Sequence, residues 1–224
     1  MTGALHTRVL DAHAAALAAV LRGPRGLRDD VVAEVRDGLH DAAAAHRAAG
    51  LGDVEAAERA VAEFGSVAEL APQFQDELTT AQARRTALVV VVLFPALLLG
   101  WDLLWAAGVG WPSSPSPVVG VLARGQDVAS AVITGAGLVL LAATLRRGIR
   151  PRPLAAATAA VALLGTTACV ATAVVMNLVN GPATAAMLAS SPLAGLAFAV
   201  TAVLAGTVAT SSVRTPRLVR ARHS

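Results

Sequence analysis

Lysine and tyrosine are absent from this chain, cysteine occurs once, and aromatic residues make up only 3%. A single cysteine, Cys169, excludes an internal disulfide, and its setting in an apolar run makes it a small packing residue. With no lysine, all eighteen basic residues are arginine; together with heavy use of Ala and Val this is the coding bias of a GC-rich genome. Charged residues are also scarce, at 15% against about 25% in ordinary soluble domains. No uninterrupted apolar stretch opens the chain, since His6, Arg8, Asp11 and His13 break it, so no secretory signal peptide is expected. Nor is there a phosphate-cradling glycine loop, a Ser-His-Asp or Cys-His arrangement, or a pair of acids in an apolar pocket. No catalytic residue, cofactor or metal site is expected, and the chain is read as not an enzyme.

What the chain does have is apolar surface: 55% of its residues are hydrophobic, distributed unevenly. Residues 1–85 hold nine arginines and thirteen acids, a net of −4, whereas residues 86–224 hold nine arginines and two acids, a net of +7. Direct nucleic-acid binding would want a basic stripe on the polar part, and the polar part is acidic. Four windows, at about 86–109, 128–145, 154–178 and 193–212, meet the roughly 17–25 residue requirement of a membrane-spanning helix. Asp102 is the one normally charged side chain within them.

Ten arginines (84, 85, 146, 147, 150, 152, 214, 217, 220 and 222) flank these windows on one side, and Arg124 alone stands on the other. By the positive-inside bias both termini are expected in the cytoplasm of a multi-pass cell-membrane protein. The tail from Arg214 onward suits anionic lipid, although topology alone accounts for the same residues. Pro151 and Pro153 are expected to open the third span, where a missing N–H does no harm. The run 111–117, Trp-Pro-Ser-Ser-Pro-Ser-Pro, reads as an outward loop, and Asn180-Gly181-Pro182 as the start of a second. Small residues recur at Ala197, Thr201, Ala205 and Ala209, and at Ala157, Gly165, Cys169 and Ala173; such stripes suit close packing within a bundle or a homo-oligomer.

The first 83 residues read as four short helices. The first, about 4–22, ends at Gly23-Pro24-Arg25-Gly26. The second, about 28–49, carries Val31, Val32, Val35 and Leu39 at helical spacing. Asp53 is the expected N-cap of the third, which closes at Phe64-Gly65 with glycine in the left-handed position. Ser66-Val67-Ala68-Glu69 has the form of a capping box and starts the fourth. No breaker separates that helix from the first span, which leaves open one helix running on through Arg84.

Two stretches, 27–39 (Leu-Arg-Asp-Asp-Val-Val-Ala-Glu-Val-Arg-Asp-Gly-Leu) and 60–71 (Ala-Val-Ala-Glu-Phe-Gly-Ser-Val-Ala-Glu-Leu-Ala), resemble the signatures of the permease-prefix or HAAS-type signalling domain of bacterial, especially actinobacterial, membrane proteins. The resemblance covers roughly residues 5–80. Ser66-Val67 stands where members often carry Asp-Pro. It implies a cytosolic regulatory or protein-interaction module tethered to a membrane segment.

The expected architecture is therefore all-α: a small cytosolic four-helix domain over 1–83, a membrane domain over 84–213 with four spans, and a basic cytosolic tail over 214–224. Glu34, Asp37 and Asp41 along the second helix form the candidate face for a cytosolic or membrane protein partner. Asp37, His40 and Asp41 share a face but lack a second ligand cluster, so a solvated face is favoured over a metal. Asp102 is the candidate for a role in the membrane, since ionisable groups within spans are costly. Counting from Thr86 puts it about 24 Å along its helix, near the far boundary, where Trp101, Trp105 and Trp111 suit an interfacial belt. A membrane-anchored regulator that binds a protein partner is the leading reading, and a small transporter or accessory subunit of a permease is the alternative.

Overall fold

The computed structural model describes the backbone of residues 3–113, 116–146, 148 and 150–220, and the side chains of residues 6–113, 116–146, 148 and 150–210. Among these residues there are eight helices and no strands: α1 (Gly3–Val20), α2 (Arg25–Ala48), α3 (Asp53–Phe64), α4 (Val67–Ala106), α5 (Pro117–Thr144), α6 (Pro151–Val179), α7 (Gly181–Ser190) and α8 (Pro192–Arg220). The chain divides into two compact units, Met1–Gln82 and Ala83–Ser224. Helix α4 contributes to both, because nothing between Leu78 and Thr86 interrupts it.

The first unit has a core of its own. Leu10, Ala14 and Leu17 of α1, Val35, Leu39 and Ala43 of α2, Ala57 and Ala60 of α3, and Leu78 of α4 are buried together. Gly38 has a specific part: a Cβ there would come within 3.3–3.4 Å of the Phe64 ring, so its bare backbone lets that ring lie against α2. Helix α2 starts at Arg25, with Pro24 as its N-cap, a turn earlier than its apolar face alone predicts. Gly52, not Asp53, caps α3; Asp53 is the first helical residue and no side chain caps the end. Asp53 and Glu55 instead put negative charge in the first turn, where the helix dipole favours it.

Gly65 closes α3 with φ 98° and ψ 166°. This is not the left-handed helical conformation but a region open essentially to glycine alone. The Ser66–Glu69 capping box forms in full. The Ser66 backbone N–H and hydroxyl donate to Glu69 Oε2 at 2.9 and 2.7 Å, and the Glu69 N–H returns to Ser66 Oγ at 3.4 Å.

The second unit contains four helices long and apolar enough to cross a membrane, making this a multi-pass membrane protein by length and composition. Val90 and Phe94 of α4, Ala162 of α6 and Val208 of α8 are buried together, with Ile133 of α5 packed against them. Two glycines set the closest approaches. A Cβ at Gly165 would meet Ile133 at 2.9–3.1 Å, and one at Gly137 would meet Val91 and Val90 at 3.0 and 3.1 Å. On α6 the buried ridge runs through Ala155, Thr158, Ala159, Ala162, Gly165 and Thr166, so Gly165 belongs to the contact surface but Ala157 is exposed. Ala197, Thr201, Ala205 and Ala209 are all half-buried on one side of α8, within this chain, while Leu193, Leu196, Val200 and Val203 are exposed.

Three boundaries differ from the sequence reading. Helix α5 begins at Pro117, where Ser116 Oγ accepts from the Val119 N–H at 3.4 Å. Arg124 and Asp127 interrupt the apolar window but not the helix, so the loop before it is shorter than 110–127. The second loop is largely helix α7: Gly181-Pro182 stands at its first turn, where proline is pre-organised to start a helix. Helix α8 continues past Arg214 to Arg220, so most of the expected tail is helical; residues 221–224, like Ser114, Pro115, Arg147 and Ile149, lie outside the described residues.

Candidate functional site

Glu34, Asp37 and Asp41 are all exposed on α2, on the side away from the buried Val32, Val35, Leu39 and Ala43. The spacing i, i+3, i+7 brings them onto one face, as the periodicity requires. Their electrostatic setting could not be read from spacing. Four other acids of this unit are matched: Asp11 with Arg36 at 3.0 Å, Asp29 with Arg28 at 3.0 Å, Asp53 with Arg47 at 3.9 Å, and Glu63 with Arg59 at 2.9 Å; Asp30, Glu55, Glu58, Asp76 and Glu77 have no ion pair among the described residues. None of the three α2 acids has an ion pair among the described residues. His40 does not join them. Its Nε2 lies 3.9 Å from Asp11 on α1, away from a shared site with Asp37 and Asp41.

The far edge of this unit is held by a second polar cluster. His46 Nε2 and Glu63 Oε2 are 2.9 Å apart, tying the end of α2 to the end of α3, and Arg59 Nε donates to Glu63 Oε1 at 2.9 Å. These bonds hold the Glu63 carboxyl below its ordinary pKa, the His46 bond contributing most. The Ser66 hydroxyl, then the Ser66 N–H, does the same for Glu69. Beside the capping box lies a cavity of about 480 Å³ bounded by His13, Val61, Gly65, Val67 and Glu69. Glu69 is already engaged by Ser66, which makes this carboxylate a cap first.

In the second unit Asp102 is exposed, four residues before the end of α4. The tryptophans do not enclose it. Trp101 turns to α8, with its ring edge-on to Phe198 at 5.0 Å and its indole N–H donating to Thr201 Oγ1 at 3.2 Å. Trp105 packs edge-on against Trp111 at 5.2 Å. The Trp111 N–H donates to Thr184 Oγ1 at 3.0 Å, and Thr184 Oγ1 lies 3.1 Å from Asn177 Oδ1. This chain of bonds fastens the 107–116 connection to α7 and α6. Sequence reasoning missed it because its parts lie up to 73 positions apart; the cue was a polar Thr within a run read as loop.

Contacts fix the register of the spans. Gly137 faces Val90 and Val91, so counting outward along antiparallel helices puts Asp102 level with about Gly125, between Arg124 and Asp127. Asp102, Arg124 and Asp127 therefore share one level. On α4, Arg84 and Asp102 are separated by about 27 Å at ~1.5 Å per residue, close to the ~30 Å of a bilayer's hydrocarbon core. The polar groups of the spans divide, the buried hydroxyls of Thr134 and Thr166 having no hydrogen-bond partner among the described residues. The Thr158 and Thr201 hydroxyls donate to Leu154 and Ala197 carbonyls at 2.8 Å, and Ser130 Oγ lies 3.8 Å from Cys169 Sγ across α5 and α6.

Comparison with protein-family models, curated proteins and solved structures finds no match to this chain. The functional reading therefore stands on the geometry above.

Proposed function

We propose that this is a membrane-anchored regulatory protein whose amino-terminal helical unit lies in the cytosol and binds a protein partner, the four-helix bundle serving to anchor or to sense. The observation that carries the reading is the acidic face of α2. Glu34, Asp37 and Asp41 are exposed together on one face and lack ion pairs among the described residues, whereas Asp11, Asp29, Asp53 and Glu63 are matched by arginines. A row of unmatched charge on a helix whose opposite side is packed is a surface that a basic partner reads by complementarity. The resemblance of residues 5–80 to the permease-prefix or HAAS-type module supports the same assignment. Cytoplasmic termini follow from the arginine bias.

The second reading, a small transporter or permease subunit, draws on Asp102 and the mid-bundle Ser130, Cys169 and Thr166. Asp102 shares the level of Arg124 and Asp127, which fits a boundary position, and Ser130 meets Cys169 as packing partners do. The two readings part in one experiment on the full chain in its native membrane. Reversing Glu34, Asp37 and Asp41 to Arg should abolish cross-linking to the partner through a photoreactive residue at Ala33, while Asp102→Asn should leave it intact. Loss of the cellular phenotype with Asp102→Asn alone, and undiminished cross-linking in the triple variant, would transfer the function to the bundle.

A further inference from the structure

The arginines of the second unit stand apart from its acids. In the first unit Arg28, Arg36, Arg47 and Arg59 each lie within 3.9 Å of a carboxylate, while Arg8, Arg22 and Arg25 have no ion pair among the described residues. In the second unit Arg84, Arg85, Arg146, Arg150 and Arg152 are all exposed, and none has an ion pair among the described residues. The two acids of residues 86–224, Asp102 and Asp127, stand at the opposite level of the bundle.

The register gathers these arginines. Ser130 faces Cys169 and Ile133 faces Gly165, so α5 and α6 run antiparallel, and Arg146 falls level with about Pro153, next to Arg152. Counting inward from Gly137 opposite Val90 brings Arg84 to within about a turn of Arg146. The Trp101–Thr201 bond likewise brings Arg85 level with Arg217 of α8. The rim at one end of the bundle thus carries Arg84, Arg85, Arg146, Arg150 and Arg152, none with an ion pair among the described residues.

We infer that this rim binds the phosphates of anionic phospholipids, with the α5–α6 turn (Arg146, Arg150 and Arg152) as its centre. The level is right: the rim stands about 27 Å from the Asp102 level, a hydrocarbon-core thickness away. The chemistry is also right, because a planar guanidinium donates two parallel N–H groups to a phosphate and keeps its charge at any physiological pH. Positive residues at a membrane surface each gain about 1 kcal/mol from anionic lipid. Topology alone needs the charges but predicts no preference for one headgroup in the folded protein. The inference is independent of what the first unit binds.

The test uses the purified full chain in neutral maltoside micelles and a fluorescent phosphatidylglycerol followed by anisotropy. Unlabelled phosphatidylglycerol should displace the probe and phosphatidylcholine should not. Replacing Arg146, Arg150 and Arg152 by Gln should weaken binding at least about tenfold, from three lost charges. Replacing them by Lys should keep most of it, and Arg124→Gln should change it by less than about twofold. Should the Gln variant fail to fold, the parent still decides: its affinity must fall severalfold between about 0.1 and about 0.5 M NaCl. Equal displacement by phosphatidylcholine, parent-like binding by the Gln variant, an equal loss with Arg124→Gln, or salt-insensitive binding would each overturn the proposal. Displacement by inorganic phosphate at the lipid's own concentration would make this a small-anion site and overturn the lipid assignment.

Discussion

Arg59 of the first unit lies 2.9 Å from a carboxylate, while Arg152 of the second has none among the described residues. The apolar side chains divide similarly: Leu10, Leu17 and Leu39 are fully buried, but Leu103, Val139, Leu164 and Leu178 are each 70–75% exposed. One unit hides its leucines from water, and the other presents them to a medium as apolar as they are. The difference teaches that each unit was shaped by a different solvent, and each can be attacked through the interactions that solvent demands.

The largest expected effect comes from the first unit. A fragment ending at Gln82 should melt cooperatively, because its core is closed by its own helices. Leu39→Ala in that fragment should lower its stability by about 2–5 kcal/mol in urea unfolding, since the side chain is fully buried. A fragment that shows no cooperative transition, or a variant that melts like the parent, would dissolve the contrast between the units. The membrane unit should be insensitive to such truncation on its exposed face but sensitive to added bulk at its glycines. Gly165→Ala drives a methyl to within 2.9 Å of Ile133 and should cost about 1–3 kcal/mol, read as a lowered melting midpoint in detergent. Ile133→Val in the same chain should recover part of that loss; no recovery would mean that α5 and α6 do not meet there.

Acid should weaken the first unit slightly. Glu63 and Glu69 have folded pKa values below their ordinary 4.5. The stability they contribute is therefore full above that value and is lost as pH falls through it toward their lowered folded values. Both carboxylates are exposed, so the melting midpoint of the fragment should stay level above about pH 5 and decline modestly below it. Glu63→Gln with Glu69→Gln should flatten that decline. An unchanged decline in the double variant would assign it to other acids.

Much of this arrangement was legible in residue order because its causes are local. Ser66 and Glu69 announce their reciprocal cap, Pro151 its helix start, and the i, i+3, i+7 spacing of Glu34, Asp37 and Asp41 their common face. Where local cues compete, reading by sequence failed. Asn180-Gly181-Pro182 punctuates a chain equally well as a loop or as the first turn of α7, and the Ala-rich run behind it decided for helix. Arg124 and Asp127 broke the apolar window of α5, although Ser116-Pro117 already carried a cap and a first turn. What pairs across distance was invisible: the Trp101–Thr201 bond spans 100 positions, and that Arg146 has no ion pair among the described residues appears only in the structure.

The account rests on the first unit facing the cytosol and the four long helices crossing the membrane, and cysteine accessibility tests both together. In a Cys169→Ser background, single cysteines replace the exposed Ser113, Ser190 and Glu58 in turn, and intact cells are treated with a membrane-impermeant maleimide. The 113 and 190 positions should label and position 58 should label only after the cells are opened. Labelling of position 58 in intact cells, with 113 and 190 protected, would reverse the orientation and remove the first unit from any cytosolic partner.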